Sequence, residues 1–117
     1  MESEPRESRL AKNEAVFREV NERVIEIKEE LGPDPRSSSL IDGLICECSD
    51  GGCLERVGPL TISSYEAVRD DPRRFIIAAN HQALDVESVI EMNPTYWVVE
   101  KHEGVPADVA RERDPRG

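Results

Sequence analysis

The chain has 117 residues, 38% of them apolar and only 4% aromatic, with a formal net charge of −10. That length fits one small domain, and the charge disfavours a broad grip on nucleic acid, whose phosphates require a basic face. No run approaches the roughly 20 apolar residues that a membrane-crossing helix needs, and the first 30 residues are too charged for a secretory signal, so the expectation is a cytoplasmic protein with no membrane span.

In chain order, the first element is a long helix. Leu10, Phe17, Val24 and Leu31 recur every seven residues, with Asn13, Val20 and Ile27 between them, a heptad-like seam with one polar interruption. Ser8 is the expected N-cap. Leu31-Gly32-Pro33 is the expected stop, because Gly32 accepts a positive φ and Pro33 cannot continue a helix. Two uses of the seam stay open. It can lay the helix on the domain that follows, or it can pair with a second copy or a helix of a protein partner, Asn13 then setting register. The charges Arg18, Glu19, Glu22, Arg23, Glu26, Lys28 and Glu29 read as a solvated face. Residues 1–31 form this helical unit, and 32–39, rich in Pro and Ser, form a linker that leaves the helix free to be positioned independently.

Residues 40–104 read as a compact α+β domain with short antiparallel strands and one or two short helices. Leu40 to Ile45 and Leu54 to Leu60 are extended runs entering and leaving the cysteines. Ser63 and Glu66 match a capping box opening a short helix that ends before Pro72. Arg74 to Ala79 is a buried-type strand leading to Asn80-His81. Val86 to Met92 and Tyr96 to Lys101, separated by Asn93-Pro94-Thr95, form a hairpin, with a helix at 86–92 as the fallback. Residues 105–117 are a tail, in which Pro106 to Arg113 can form one amphipathic helix packing Val109 before a loose end. A short basic patch such as Arg69 with Arg73 and Arg74 could still touch a phosphate.

The chain's three cysteines all fall in Cys46-Glu47-Cys48-Ser49-Asp50-Gly51-Gly52-Cys53. On an extended segment Cys46 and Cys48 project from the same face, and a left-handed turn at Gly51-Gly52 would return Cys53 to it. Clustered thiols without an export signal read as reduced and available to metal. Three thiolates and one imidazole make a closed tetrahedral Zn²⁺ site. His81, at the end of a buried strand, is preferred to His102 as the fourth ligand, with Asp50, Asp85 and Glu47 as minor candidates. The carboxylates of Glu47, Asp50 and Glu55 are expected to raise the thiol pKa values.

The run CECSDGGCLERV is similar to the C-x-C-x₄-C knuckle that follows the catalytic domain of SET methyltransferases, where three cysteines take a fourth zinc ligand from elsewhere. Here the order is reversed, the knuckle preceding Asn80-His81, and the chain is too short for that domain. A second likeness covers most of the chain: NEAVFREVNERV, the cysteine cluster with its ER, the LT…YE.VR.DP.RF stretch and H…VE.V…Y.VVEKH resemble a group of small bacterial proteins. That resemblance implies a site of Cys46, Cys48, Cys53 and His81 and supplies no activity. Phosphate-cradling glycine loops, G-x-S-x-G and H-E-x-x-H are missing from the sequence. A catalytic pair could still be drawn from His81 with Asp85, or from Cys53 with a histidine, without a substrate-binding signature beside it. The leading expectation is a zinc-stabilised interaction or regulatory module, followed by a redox- or zinc-responsive switch and, third, a small enzyme.

Overall fold

The computed structural model describes residues 6–30, 40–41, 43–48, 50, 52–53 and 55–116. Its elements are α1 (Arg6–Glu30), β1 (Leu40–Ile41), β2 (Leu44–Ile45), β3 (Arg56–Val57), β4 (Leu60–Thr61), α2 (Ile62–Arg69), β5 (Arg74–Ile77), β6 (Glu87–Met92), β7 (Trp97–Lys101) and α3 (Val105–Glu112). The α+β class expected from the sequence is therefore observed. The expected helix stop and the linker at 31–39 lie outside the described residues.

Two long extended runs are each broken into a pair of short strands. Leu40 lies opposite Thr61 and Ile41 opposite Leu60, while Leu44 faces Val57 and Ile45 faces Arg56. The register is the same on both sides of the break, so this is one antiparallel arm. Its interruption falls at Gly58-Pro59, where Gly58 has φ 105° and Pro59 has no N–H to give to a ladder. The arm continues inward through Cys46 N–H to Glu55 O at 2.8 Å, which makes the cysteine run the loop at its tip.

The second sheet is antiparallel in the order β5-β7-β6, with a bulge in β6 between Val89 and Glu91. Phe75, Ile76, Ile77, Val98 and Val99 are fully buried there and join Leu44, Val57, Leu60, Tyr65 and Val68 in one core. The outer edge of β5 is not open: Glu47 N–H donates to Ile76 O at 2.8 Å, so the cysteine segment lies alongside it. The expected 86–92 and 96–101 hairpin is β6–β7.

Three end signals differ from expectation. Helix α1 already includes Ser8, which therefore is not its cap. Thr61 caps α2, its hydroxyl accepting Ser64 N–H at 2.9 Å, while Ser63 sits exposed within the helix. Glu66, expected to reach back to Ser63, instead pairs with Arg116. That pairing also overturns the loose end: Arg116 Nε lies 2.8 Å from Glu22, and Asp114 holds Arg69.

Helix α1 is laid on the body through an unexpected face. Its buried positions are Ala11, Glu14, Ala15, Arg18, Asn21, Glu22 and Ile25, a 3-4 spaced stripe turned by about a third of a turn from the heptad seam. Leu10, Phe17 and Val24 flank this stripe half-buried, whereas Val20 and Ile27 of the seam are 44% and 56% exposed. The polar residues go inward because the body offers them partners. Arg18 donates to Pro72 O at 2.6 Å and to Ala110 O at 2.7 Å, and stacks 4.6 Å over the Phe75 ring. Arg69 Nε meets Glu22 at 2.5 Å, and Lys101 lies between Glu14 and Glu87. The basic patch is neutralised by the same logic: Arg69 is buried among acids, Arg73 binds Asp71 at 2.9 Å and Glu103 at 2.6 Å, and Arg74 binds Glu100 at 3.1 Å.

Candidate metal centre

The tip of the β2–β3 arm carries the cysteines. Strand alternation sends Cys46 and Cys48 to one side and Glu47 to the other, as the spacing implied. The return to Cys53 is made by Asp50. Its carboxylate accepts Gly52 N–H at 2.9 Å and its carbonyl accepts Cys53 N–H at 3.0 Å, an Asx-type turn. Gly52 is not in the left-handed region, and Gly51 lies outside the described residues.

The fourth group arrives from the turn after β5. His81 N–H bonds Ala78 O at 3.1 Å, and Asn80 takes φ 69°, a conformation Asn tolerates better than most residues. This turn brings His81 Nδ1 to 3.6 Å from both Cys46 Sγ and Cys53 Sγ. The ligand atoms of Cys46, Cys48, Cys53 and His81 all lie within 4.8 Å of one another. Four donors around one zinc ion, with Zn–S near 2.3 Å and Zn–N near 2.0 Å, would stand about 3.5–3.8 Å apart, and the two sulfur–nitrogen separations of 3.6 Å are compatible with that spacing. His102 is not part of the cluster: its Nε2 meets Ser88 Oγ at 3.0 Å on the β6–β7 hairpin. Asp50 is engaged in its turn, and Glu47 faces away.

The chemistry of the donor set fits a dication. Without one, the sulfurs compete for protons. Cys46 is pushed up by its hydrogen bond to Cys48 and by burial, Cys48 is pulled down to about 5 by that same bond, and burial pushes Cys53 up. Burial and thiol–thiol contact, rather than the acidic neighbours expected to act, are the leading causes. A bound dication would replace those shared protons and stabilise all three thiolates. Groups outside the ligand set are also in place. Ala78 N–H donates to Cys46 Sγ at 3.1 Å, and His81 Nε2 lies 3.4 Å from the Glu55 carboxylate, the partner type that orients a metal-bound imidazole.

The inward side of the same segment carries groups that the sequence reading missed. Glu47 is fully buried and accepts from Asn21 Nδ2 at 2.7 Å, from the Tyr65 hydroxyl at 3.0 Å and from Ile76 N–H at 3.0 Å. Nothing in the sequence marks Glu47 as internal beyond its place between Cys46 and Cys48, which sends it to the face opposite theirs.

Among the described residues no helix is long and apolar enough to cross a membrane. No family model, curated protein or solved structure matches the chain. The likeness to the SET-associated knuckle therefore extends no further than the spacing of three cysteines, and no match carries the likeness to small bacterial proteins.

Proposed function

We propose that this chain is a small zinc-binding protein whose metal is structural, held by Cys46, Cys48, Cys53 and His81. The observation that supports the reading most is the convergence of these four donors, from two separate loops, within 4.8 Å of one another, with His81 Nδ1 at 3.6 Å from two of the sulfurs. Four protein ligands leave no position for water or substrate, the mark of a structural site. The spacing also suits one ion and not a multi-iron cluster, whose ligand sulfurs stand farther apart. The role we assign is that of an interaction or regulatory module acting on a protein partner, or on a second copy, in a reducing cytoplasm. The inner face of α1 is occupied by the body, so the helical surface on offer is the outward stripe of Val16, Val20 and Ile27, which are 51%, 44% and 56% exposed.

Zinc content tests the first claim. Chain purified without chelator is expected to carry close to one zinc ion per molecule, and His81→Ala and Cys46→Ser are each expected to lose most of it. A wild-type ratio near zero, measured by elemental analysis, would refute the site. Val20→Lys with Ile27→Lys tests the interaction surface: it should abolish self-association or partner capture while leaving the zinc content and helical signal intact.

One observation favours a second reading, a redox-responsive switch. His81 and Cys53 border solvent, while Cys46 and Cys48 do not. Peroxide could take two electrons from Cys53 and a neighbouring thiolate, forming one disulfide, reducing peroxide to two hydroxides and freeing the ion. Zinc retained under mild peroxide would favour the purely structural role.

A further inference from the structure

The cysteine segment presents a metal site on one side and a docking point for α1 on the other. Asn21 of α1 uses its whole amide on this segment. Nδ2 donates to Ile45 O at 2.9 Å, Oδ1 accepts Ile45 N–H at 2.9 Å, and Nδ2 also reaches Glu47 at 2.7 Å. Ile45 and Glu47 flank Cys46, and Glu47 lies between Cys46 and Cys48. Two adjacent backbone groups and one carboxylate must therefore hold fixed positions for Asn21 to bind, and these are the positions that the thiolates fix when they converge on an ion.

We infer that zinc binding and the docking of the C-terminal half of α1 are a single linked equilibrium, transmitted through Glu47 and Asn21. This rests on the reading of Cys46, Cys48, Cys53 and His81 as the ligands of one ion. The helix has two separate sets of anchors. Glu14, Arg18 and Glu22 reach Lys101, Pro72, Ala110, Arg69 and Arg116, none of which belongs to the cysteine arm. Asn21 holds the arm directly, and Ile25 packs in the core that includes Leu44, Cys46 and Cys48. Loss of the ion frees the arm tip, withdraws the surface that Asn21 reads, and loosens α1 beyond Glu22 while Glu14, Arg18 and Glu22 keep the preceding turns seated. The molecule then has a metal-controlled helical end. Linkage is reciprocal, so what the ion does for the helix, the helix must do for the ion.

The experiment uses the full chain and zinc alone as the probe. Zinc affinity is measured by competition with a chromophoric chelator for wild type and Asn21→Ala, and amide exchange along α1 is followed with and without zinc. The expectation is a loss of zinc affinity of about 5- to 50-fold in Asn21→Ala, the range of ordinary coupling between sites. Metal removal should also accelerate exchange at residues 23–28 well beyond residues 10–22. Should Asn21→Ala fail to fold, Tyr65→Phe removes one donor from Glu47 without opening a cavity, and a smaller loss of about 2- to 5-fold is expected, as for one hydrogen bond. Wild-type affinity in the folded variant, or exchange in α1 that ignores zinc, overturns the linkage while leaving the metal site standing. A wild-type chain that takes up no zinc overturns the site, and the linkage with it.

Discussion

Glu14, Glu87 and Lys101 are wholly buried and meet beneath α1, two carboxylates to one ammonium. Burial pushes the Glu87 carboxyl up to about 7 and the Lys101 ammonium down to about 7. With one positive charge between two acids, the upward shift of Glu87 is the direction that governs stability below about pH 7. A carboxyl whose folded pKa exceeds its unfolded one stabilises fully below the unfolded value and loses that contribution as pH rises through the folded value. The window here runs from about 4.5 to about 7. Wild type should therefore lose about 1–3 kcal/mol between the acid and neutral ends of this window, and Glu87→Gln should flatten the slope. Urea midpoints at both ends would show it, and parallel behaviour of the two proteins would contradict it. Arg69, enclosed by Glu22 and Asp114, follows another rule. Arg69→Met leaves Asp114 without its guanidinium and Glu22 with Arg116 alone, and is expected to cost about 3 kcal/mol, the low end for removing one partner of a buried pair.

Helix α1 and helix α2 show what decides the orientation and ends of an element. The seam of α1 is less buried than the stripe beside it, because Asn21 and Arg18 hydrogen-bond the body and Glu14 pairs with Lys101, while Val20 and Ile27 stay 44% and 56% exposed. Ile25→Ala is accordingly expected to cost about 2–4 kcal/mol and Ile27→Ala less than about 0.5 kcal/mol, a contrast that thermal unfolding resolves. For α2, Thr61→Ala should cost about 1 kcal/mol and Ser63→Ala almost nothing, since the cap bond belongs to Thr61. Equal costs would show that the helix begins at the later residue.

The whole molecule is held from three directions: an apolar core between the sheet, the arm and α2; a set of buried ion pairs that fasten α1 and the chain end; and the four-donor cluster at the arm tip. Only the last is a donor set that a metal ion would strengthen. Saturating zinc at about 100 times its Kd adds about 2.7 kcal/mol, and for a chain of this size that corresponds to a Tm raised by about 10–20 °C. Chelation should lower Tm by that amount while leaving the β5-β7-β6 sheet in place, as read by near-ultraviolet dichroism of Trp97. A Tm indifferent to chelator would remove the ion from the account of stability.

Spacing alone determined a good deal: that Cys46 and Cys48 share a face, that residues 87–101 turn back as a hairpin, and that a helix precedes an α+β body. Each is a local consequence of backbone period and turn chemistry. His81 could be ranked above His102 from its place at the end of a buried strand, but only the fold set its Nδ1 against two sulfurs 28 and 35 residues away. Polar interior residues were the part that the sequence did not carry. A glutamate, an arginine or an asparagine reads as solvated until a partner is supplied, and the partners of Asn21, Arg18, Glu47 and Arg69 come from distant segments. Burial of a charge is decided pairwise across the tertiary structure, whereas burial of an aliphatic residue is written into its own chemistry.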